Sequence, residues 1–169
     1  YVCPRYIPGT AGGAEVLTRQ WAERMSRRGH SSTVLTTCAR DHVTWKNEYD
    51  PGREVIGGVT VRRFPVDPRD LKRHAALDRM ITDEEEMSRE EELEWMRSGV
   101  NSEALYEYIR KNRDKFDCFI FTPYLFGITY FGLDAVPEKS VLVPCLHDET
   151  FAYLKITREL FRKARGIFF

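Results

Sequence analysis

The glycine-rich stretch Pro8-Gly9-Thr10-Ala11-Gly12-Gly13-Ala14-Glu15 lies between a short β-rich start, Tyr1-Val2-Cys3, and a helical pattern. From Gly12 to Arg28 apolar side chains recur at helical spacing, and Gly29 follows where a helix commonly ends. The next run, Ser32 to Thr37, is short and β-branched, which is typical of a buried strand. A strand, a glycine-rich turn, a helix and a second strand predict the opening unit of a parallel α/β sheet.

The rest of the chain continues the alternation of strands and helices. Gly57-Gly58 separates two β-rich runs and indicates a hairpin. The charged segment 69–97 is expected to be a helical, mobile insert. Further helices are predicted over 100–112, 124–133 and 150–164, and strands over 117–122 and 141–144. We therefore expect residues 1–169 to form one α/β domain with a doubly wound, mostly parallel, Rossmann-like sheet and helices on both faces.

Composition and charge exclude several classes of protein. The chain has 169 residues, of which 42% are hydrophobic and 31% charged, so it is neither disordered, nor collagen-like, nor a disulfide mini-protein. Its 26 basic and 26 acidic residues balance, which argues against a nucleic-acid binder. The acidity is concentrated in 81–97, whose net charge is −6. The longest charge-free run, 118–133, is too short to cross a membrane, which takes about 20 residues.

The four cysteines are far apart in the sequence and form no C-x-x-C pair, so neither a zinc site nor a disulfide framework is indicated. Each lies among apolar or strand-like neighbours, which predicts small buried thiols in a reducing compartment. They are Cys3, Cys38, Cys118 and Cys145.

The glycine-rich turn is the first candidate ligand site, because ligands of parallel sheets bind beyond the carboxyl ends of the strands. A phosphate suits the free N–H groups that begin the following helix. A tight turn that needs small residues for packing explains the same pattern equally well. No lysine follows the glycines as in a P-loop, and no acidic residue ends the second strand as in a nicotinamide dehydrogenase. Glu15 lies in the first helical turn, where it also suits the helix dipole.

The second candidate site is Pro144-Cys145-Leu146-His147-Asp148-Glu149, just past a predicted strand. A histidine beside two carboxylates can move a proton or bind a sugar hydroxyl. The alternative is structural: Asp148 caps the next helix, and His147 packs in the turn. The other histidines are not at ligand-like spacing, so we expect no metal.

A basic cluster lies between the hairpin and the acidic stretch. Such a cluster suits a phosphate or an anionic lipid surface, but it is also typical of a solvated face paired with nearby acidic residues. Its members are Arg62, Arg63, Arg69, Lys72 and Arg73. The apolar residues within the charged segment favour packing in the core. They are Met80, Ile81, Met87, Leu93, Trp95 and Met96.

Four stretches carry a family resemblance, in the same order along the chain. They are Pro8 to Glu15 with its Gly-Gly-Ala-Glu, Arg28-Gly29-His30 with Val34-Leu35-Thr36, Gly57 to Val66, and Val143 to Glu149. Together they resemble the N-terminal half of the GT-B glycosyltransferases of family 4. The resemblance covers most of the chain apart from the charged insert near 69–97.

This resemblance implies a retaining transferase that moves a sugar from a nucleotide-sugar to an acceptor hydroxyl without an obligatory metal. The nucleotide-sugar is a substrate, and no cofactor is implied. Gly12 and Gly13 would approach the donor phosphates through backbone N–H groups. His147, as the catalytic residue, would contact the transferring sugar or the acceptor, and Glu15 would lie on the acceptor side. The acceptor is a saccharide or lipid-linked molecule, reached in the cytoplasm or at the inner face of a membrane.

The family's C-terminal Rossmann-like domain, with its paired glutamates, is absent from the 169 residues. The chain opens without methionine and stops in a strand-like run, so we expect an acceptor-side domain truncated at both ends and inactive alone. Two alternatives stay open. One is a non-catalytic module that binds a nucleotide or carbohydrate. The other is a sugar-nucleotide epimerase, whose Tyr-x-x-x-Lys motif does not occur here.

Overall fold

A strand-and-helix alternation runs through the computed structural model, which describes residues 1–9 and 12–169. The helices are α1 (Gly13–Arg27), α2 (Leu71–Thr82), α3 (Arg89–Ser98), α4 (Glu103–Asn112), α5 (Gly127–Asp134) and α6 (Lys155–Lys163). The strands are β1 (Thr33–Thr37), β2 (Gly52–Ile56), β3 (Val59–Phe64), β4 (Phe119–Phe121), β5 (Ser140–Leu142) and β6 (Gly166–Ile167). Within these described residues, no helix has the length and apolar character needed to cross a membrane.

The strands form two sheets of three. One has the order β2-β3-β1, with β1 parallel and β2 antiparallel to β3, and the other is the parallel sheet β4-β5-β6. The predicted hairpin is confirmed. Ile56 pairs with Val59 across Gly57 and Gly58, whose φ angles of 58° and 80° suit glycine in a two-residue turn.

The predicted first strand is represented by Val2, which lies between the two sheets. Val2 forms parallel bridges to Leu35 of β1 and to Phe121 of β4. Its N–H donates to the Ile120 carbonyl at 2.8 Å, and its own carbonyl accepts from the Thr122 N–H at 3.0 Å. The short N-terminal segment therefore connects the edges of both sheets.

Neighbouring residues of β1 belong to different apolar clusters. Val34 packs with Ala22 of α1, together with Val59 and Val61 of β3. Leu35 belongs to a larger cluster that contains buried residues of α2 to α6. Alternate residues of a strand point to opposite faces, so the two clusters meet β1 from opposite sides.

The charged segment 69–97 is helical, as predicted, but it comprises two helices, α2 and α3, packed into the core. The apolar residues predicted to be core are confirmed as such: Ile81, Met87, Leu93, Trp95 and Met96 are buried, and Met80 packs against them. Ser88 starts α3 with a capping box to Glu91. Asp83 to Glu86 and Glu90 thus lie on the outer surface of a docked helical pair, whereas Glu92 is buried.

Several local predictions need correction. The predicted helix 150–164 is a short 3-10 turn, Thr150–Tyr153, followed by α6 from Lys155. The apolar stretch after Pro123 becomes helical only at Gly127. Of the four thiols, Cys3 and Cys38 are buried as expected, whereas Cys118 is exposed and Cys145 half-buried. The alternation of residue types predicted which segments form helices and strands, but it did not predict the turns that precede α5 and α6.

Candidate functional site

A cavity of about 370 Å³ lies beyond the carboxyl ends of the Val2 segment, β1 and β4. Its wall contains residues from four parts of the chain that follow these strands or begin α1. They are Cys3, Pro4, Arg5, Gly13, Ala14, Glu15, His42, Trp45, Pro123 and Phe126. Apolar and aromatic groups dominate this wall, with one pair of opposite charges, as is common in small-molecule sites.

The charged pair is Arg5 with Glu15. The Arg5 guanidinium donates to the Glu15 carboxylate, and both side chains are largely buried, with 14% and 16% of their surface exposed. Arg5 also donates to the Arg40 carbonyl at 3.0 Å, which fixes the guanidinium to the loop after β1. The two charges compensate each other, so the cavity wall presents no net charge from this pair.

Gly12 leaves the space that Glu15 occupies. A Cβ atom added at Gly12 would lie 1.9 Å from Oε2 of Glu15, so the carboxylate folds back over the start of α1 only because residue 12 is glycine. Gly13 is different, since a Cβ there would meet no atom of the described residues within 4 Å. Gly12 therefore has a structural role, whereas Gly13 leaves its space open toward the cavity.

The aromatic wall is supplied by the loop between β1 and β2. An isolated bridge between Ala39 and Asn47 closes this loop. The Asn47 side-chain amide also exchanges hydrogen bonds of 3.0 and 2.7 Å with the Val66 backbone. The closed loop is therefore anchored to the segment that follows β3.

Inside the loop, Asp41 organises the turn that carries Trp45. The Asp41 carboxylate accepts from the N–H groups of Val43 and Thr44, at 3.1 and 2.6 Å. The Thr44 bonds and, to a smaller extent, the Val43 bond lower the pKa of Asp41, which is therefore ionised at neutral pH. Trp45 itself has a φ of 54°, a left-handed conformation that a bulky residue keeps only when its surroundings hold it.

Two further contacts define the position of the Trp45 ring. Phe126 meets it edge to face, with ring centroids 5.2 Å apart, and the Arg5 guanidinium lies 5.7 Å from its centroid. Nearby, burial raises the pKa of the Cys3 thiol to about 12, so this cysteine is not a thiolate nucleophile at neutral pH. The cavity therefore has a rigid aromatic and ionic wall but no activated cysteine.

Of the predicted site residues, Gly13 and Glu15 line the cavity, and Gly12 directly precedes Gly13 in the chain. It does not bring His147 to the cavity: His147 is exposed and is not among the lining residues. It follows Cys145, whose Sγ lies 3.5 Å from Thr122 Oγ1 near the end of β4. The turn residues Thr10 and Ala11 lie outside the described residues.

The structural alternative for the second candidate stretch also fails. The turn that follows, Thr150–Tyr153, has no side-chain cap, and the Asp148 carboxylate instead accepts a hydrogen bond of 2.7 Å from the Tyr153 hydroxyl. His147 is exposed and does not pack in the turn. Glu149 accepts from the Tyr124 hydroxyl at 2.7 Å, and burial together with this contact raises the pKa of Tyr124. His147 therefore faces solvent, whereas Asp148 and Glu149 each accept a hydrogen bond from a tyrosine hydroxyl.

A larger groove, of about 640 Å³, lies between the acidic turn before α3 and the segment 148–158. Six acidic side chains line it, among them the exposed Glu84, Glu85 and Glu86. It contains none of the four predicted site residues, and its buried carboxylate, Glu92, accepts from the Ile156 N–H. Solvated carboxylates explain this groove without a ligand.

The basic cluster is largely engaged in contacts within the protein, which favours the structural interpretation. Arg63 is buried, pairs with Glu54 at 2.6 Å and lies against the ring of Tyr49. Arg62 stacks on Tyr108, and Arg73 pairs with Glu94 at 2.5 Å. Within residues 1–9 and 12–169, no group of three or more histidine, cysteine or acidic side chains is placed to hold a metal ion.

Sequence reasoning missed Arg5, Trp45 and Phe126 as wall residues. Trp45 offered one usable signal, since it is the single tryptophan of the polar, irregular segment 39–52. Binding residues lie disproportionately on loops, so a large aromatic side chain there is a candidate wall residue. Arg5 and Phe126 carried no local signal.

The chain was also compared with known proteins. No protein-family model, no curated protein and no solved structure matches it. Its function therefore rests on the geometry of the cavity and on the chemistry of the residues that line it.

Proposed function

We propose that this chain is the acceptor-binding, N-terminal domain of a GT-B glycosyltransferase, which transfers a sugar from a nucleotide-sugar to an acceptor hydroxyl with retention. The observation that carries the proposal is the cavity beyond the strand ends, which gathers Gly13 and Glu15 with an aromatic wall. Apolar surfaces with a few fixed polar groups suit sugars, which have both C–H faces and hydroxyl groups.

The strand arrangement supports this function. When Val2 is counted as a strand between the two sheets, the strands follow the order β2-β3-β1-Val2-β4-β5-β6. This order corresponds to the doubly wound 3-2-1-4-5-6 pattern of Rossmann-like folds, with the antiparallel β2 added at the edge. In that pattern the first and fourth strands flank the point where the strand order reverses, and ligands bind beyond their carboxyl ends. The cavity lies beyond the Val2 segment and β4.

Each site residue has a role under this proposal. Gly12 and Gly13 bring backbone N–H groups of the α1 N-terminus toward the donor phosphates. Glu15, held by Arg5, lies on the acceptor side. His147 acts from the exposed stretch after β5, in a cleft completed by a C-terminal Rossmann-like domain that holds the nucleotide. We place the enzyme in the cytoplasm, with its acceptor free or at a membrane surface.

The alternative function is a binding module that recognises a carbohydrate or nucleotide without catalysis. One observation favours it: His147 does not line the cavity, and among the described lining residues only the paired Glu15 and the exposed His42 suit an acid–base role. Such a module would bind saccharides without releasing nucleotide from any nucleotide-sugar.

A screen of nucleotide-sugars against the full-length protein, with nucleotide release and product linkage measured, separates these functions. We expect release from one donor, and we expect His147→Ala to lower kcat at least about 100-fold with little change in the unfolding midpoint. His30→Ala is the matched control, because His30 is also exposed but lies after α1 and is not among the residues that line the cavity. Absence of release from every donor would exclude the transferase, and unchanged kcat in His147→Ala would remove its catalytic role.

A further inference from the structure

We propose that the cavity beside Trp45 is a subsite for an uncharged pyranose ring, which packs its C–H face on the indole. The claim that this subsite binds the acceptor rests on the proposed transferase function and names the acceptor's chemical class. The claim that it binds a saccharide rests on the geometry of the cavity alone. Trp45 is then the residue that determines specificity for the sugar ring.

The first support is the fixed position of the indole. The Ala39–Asn47 bridge closes the loop, and Phe126 supports the ring from its edge. A loop that needs no ordering on binding loses little entropy when a ligand arrives. A bulky side chain in a left-handed conformation is the kind of local strain found where a ligand is held.

The second support is the polarity of the wall. Arg5 and Glu15 neutralise each other, yet a guanidinium has five N–H donors and a carboxylate about four lone-pair positions. Arg5 uses two of its nitrogens for Glu15 and the Arg40 carbonyl. The pair thus suits hydroxyl groups, which both donate and accept, and it attracts neither anions nor cations.

The third support is the combination of these two surfaces in one small cavity. A pyranose has an apolar face of axial C–H groups and a rim of hydroxyls, which match the indole and the ion pair. The cavity volume of about 370 Å³ lies at the small end of ligand sites. A nucleotide fits against the indole less well, because Arg5 is already paired with Glu15, and donor phosphates would instead meet the N–H groups at the start of α1.

The experiment uses the full-length protein and a panel of methyl pyranosides of glucose, mannose and galactose, followed by NMR of the indole N–H signals, with that of Trp45 assigned by its loss in Trp45→Phe. We expect at least one pyranoside to shift the Trp45 signal in a saturable way. Trp45→Leu, which keeps an apolar side chain without an aromatic face, should weaken binding about tenfold, whereas Trp45→Phe should keep most of the affinity.

Trp21→Phe is the matched control. Trp21 is also half-buried, but it lies on α1 and lines a different cavity with Met25, Ile120 and Phe168. Its substitution should leave pyranoside affinity unchanged. Uridine and adenosine monophosphates serve as charged competitors and should not displace the sugar. Three results would overturn the proposal: no saturable shift with any pyranoside, equal affinity in Trp45→Leu, or displacement by the nucleotides.

Failure of this subsite and failure of the transferase are distinguishable. If pyranosides bind through Trp45 but the full-length protein releases no nucleotide from any donor, the transferase proposal fails and the saccharide subsite stands. If transfer occurs and Trp45→Leu leaves the acceptor KM unchanged, the subsite fails and the transferase stands.

Discussion

At the scale of single residues, Gly12 and Gly13 at the start of α1 have different surroundings. A side chain at Gly12 would collide with the Glu15 carboxylate, whereas the space around Gly13 is open toward the cavity. The first glycine therefore makes room for an ion pair, whereas a Cβ at the second would meet no atom of the described residues within 4 Å.

We predict that Gly12→Ala displaces the Glu15 carboxylate and lowers the free energy of unfolding by about 1–3 kcal/mol, the contribution of a hydrogen bond between charged groups. Urea denaturation measures the change. Gly13→Ala is the control, and its stability should stay within about 0.5 kcal/mol of the parent. In a Glu15→Ala background the Gly12→Ala cost should largely disappear. A cost that persists there would show that the pair is not its cause.

At the scale of elements, the charged insert is attached to the rest of the domain by a buried carboxylate. Glu92 of α3 is only 3% exposed and accepts from the Ile156 N–H in the first turn of α6, at 3.0 Å. The residue at the N-cap position of α6 is Leu154, whose side chain cannot accept a hydrogen bond, so α6 has no side-chain cap at this position. Arg89 reinforces the contact through Glu159 at 2.6 Å. The insert therefore supplies the cap that α6 lacks.

We predict that Glu92→Ala lowers the free energy of unfolding by about 1–3 kcal/mol, because it leaves a buried N–H without a partner. Glu92→Gln keeps an oxygen acceptor and should cost less. Glu90→Ala is the control within the same helix. Glu90 pairs with Arg97 at the surface and is 69% exposed, so its removal should change stability by at most about 0.5 kcal/mol. If all three variants unfolded at the same urea concentration as the parent, the Glu92 contact would contribute nothing to stability. The insert would then be mobile, as its charge pattern suggested.

At the scale of the whole molecule, one short segment connects the two sheets. Beyond the hydrogen bonds of Val2 to β4, the Cys3 N–H donates to the Leu35 carbonyl at 3.1 Å, which ties the same segment to β1. Val2 itself has no exposed surface. Packing at this position therefore couples the hairpin sheet to the β4-β5-β6 sheet.

We predict that Val2→Ala destabilises the whole molecule by about 2–3 kcal/mol, since it opens a cavity where the sheets meet. Hydrogen exchange should show lost protection in both β1 and β4. Val55→Ala, at a β2 position that is 66% exposed, is the control and should change stability by at most about 0.5 kcal/mol. Loss of protection in one sheet alone would contradict the coupling.

Local pattern was sufficient for most elements. The Gly57-Gly58 turn, the helix that ends before Gly29 and the buried strand 33–37 were all predictable, because their signals lie within one element. The core role of Trp95 and its apolar neighbours followed in the same way. The division of the charged insert into two helices was not predicted, because the capping box Ser88-x-x-Glu91 lies within the long acidic run and resembles it in composition.

Residue types and their spacing therefore established the α/β class, the hairpin and the glycine-rich entry to α1 on their own. Tertiary packing alone placed Arg5, Glu15, Trp45 and Phe126 around one cavity and left His147 outside it. The physical reason is the separation along the chain of the residues that interact. Helix and strand signals come from neighbouring residues, whereas this wall joins loops that are up to about 120 positions apart and meet only because parallel strands end at the same edge of a sheet.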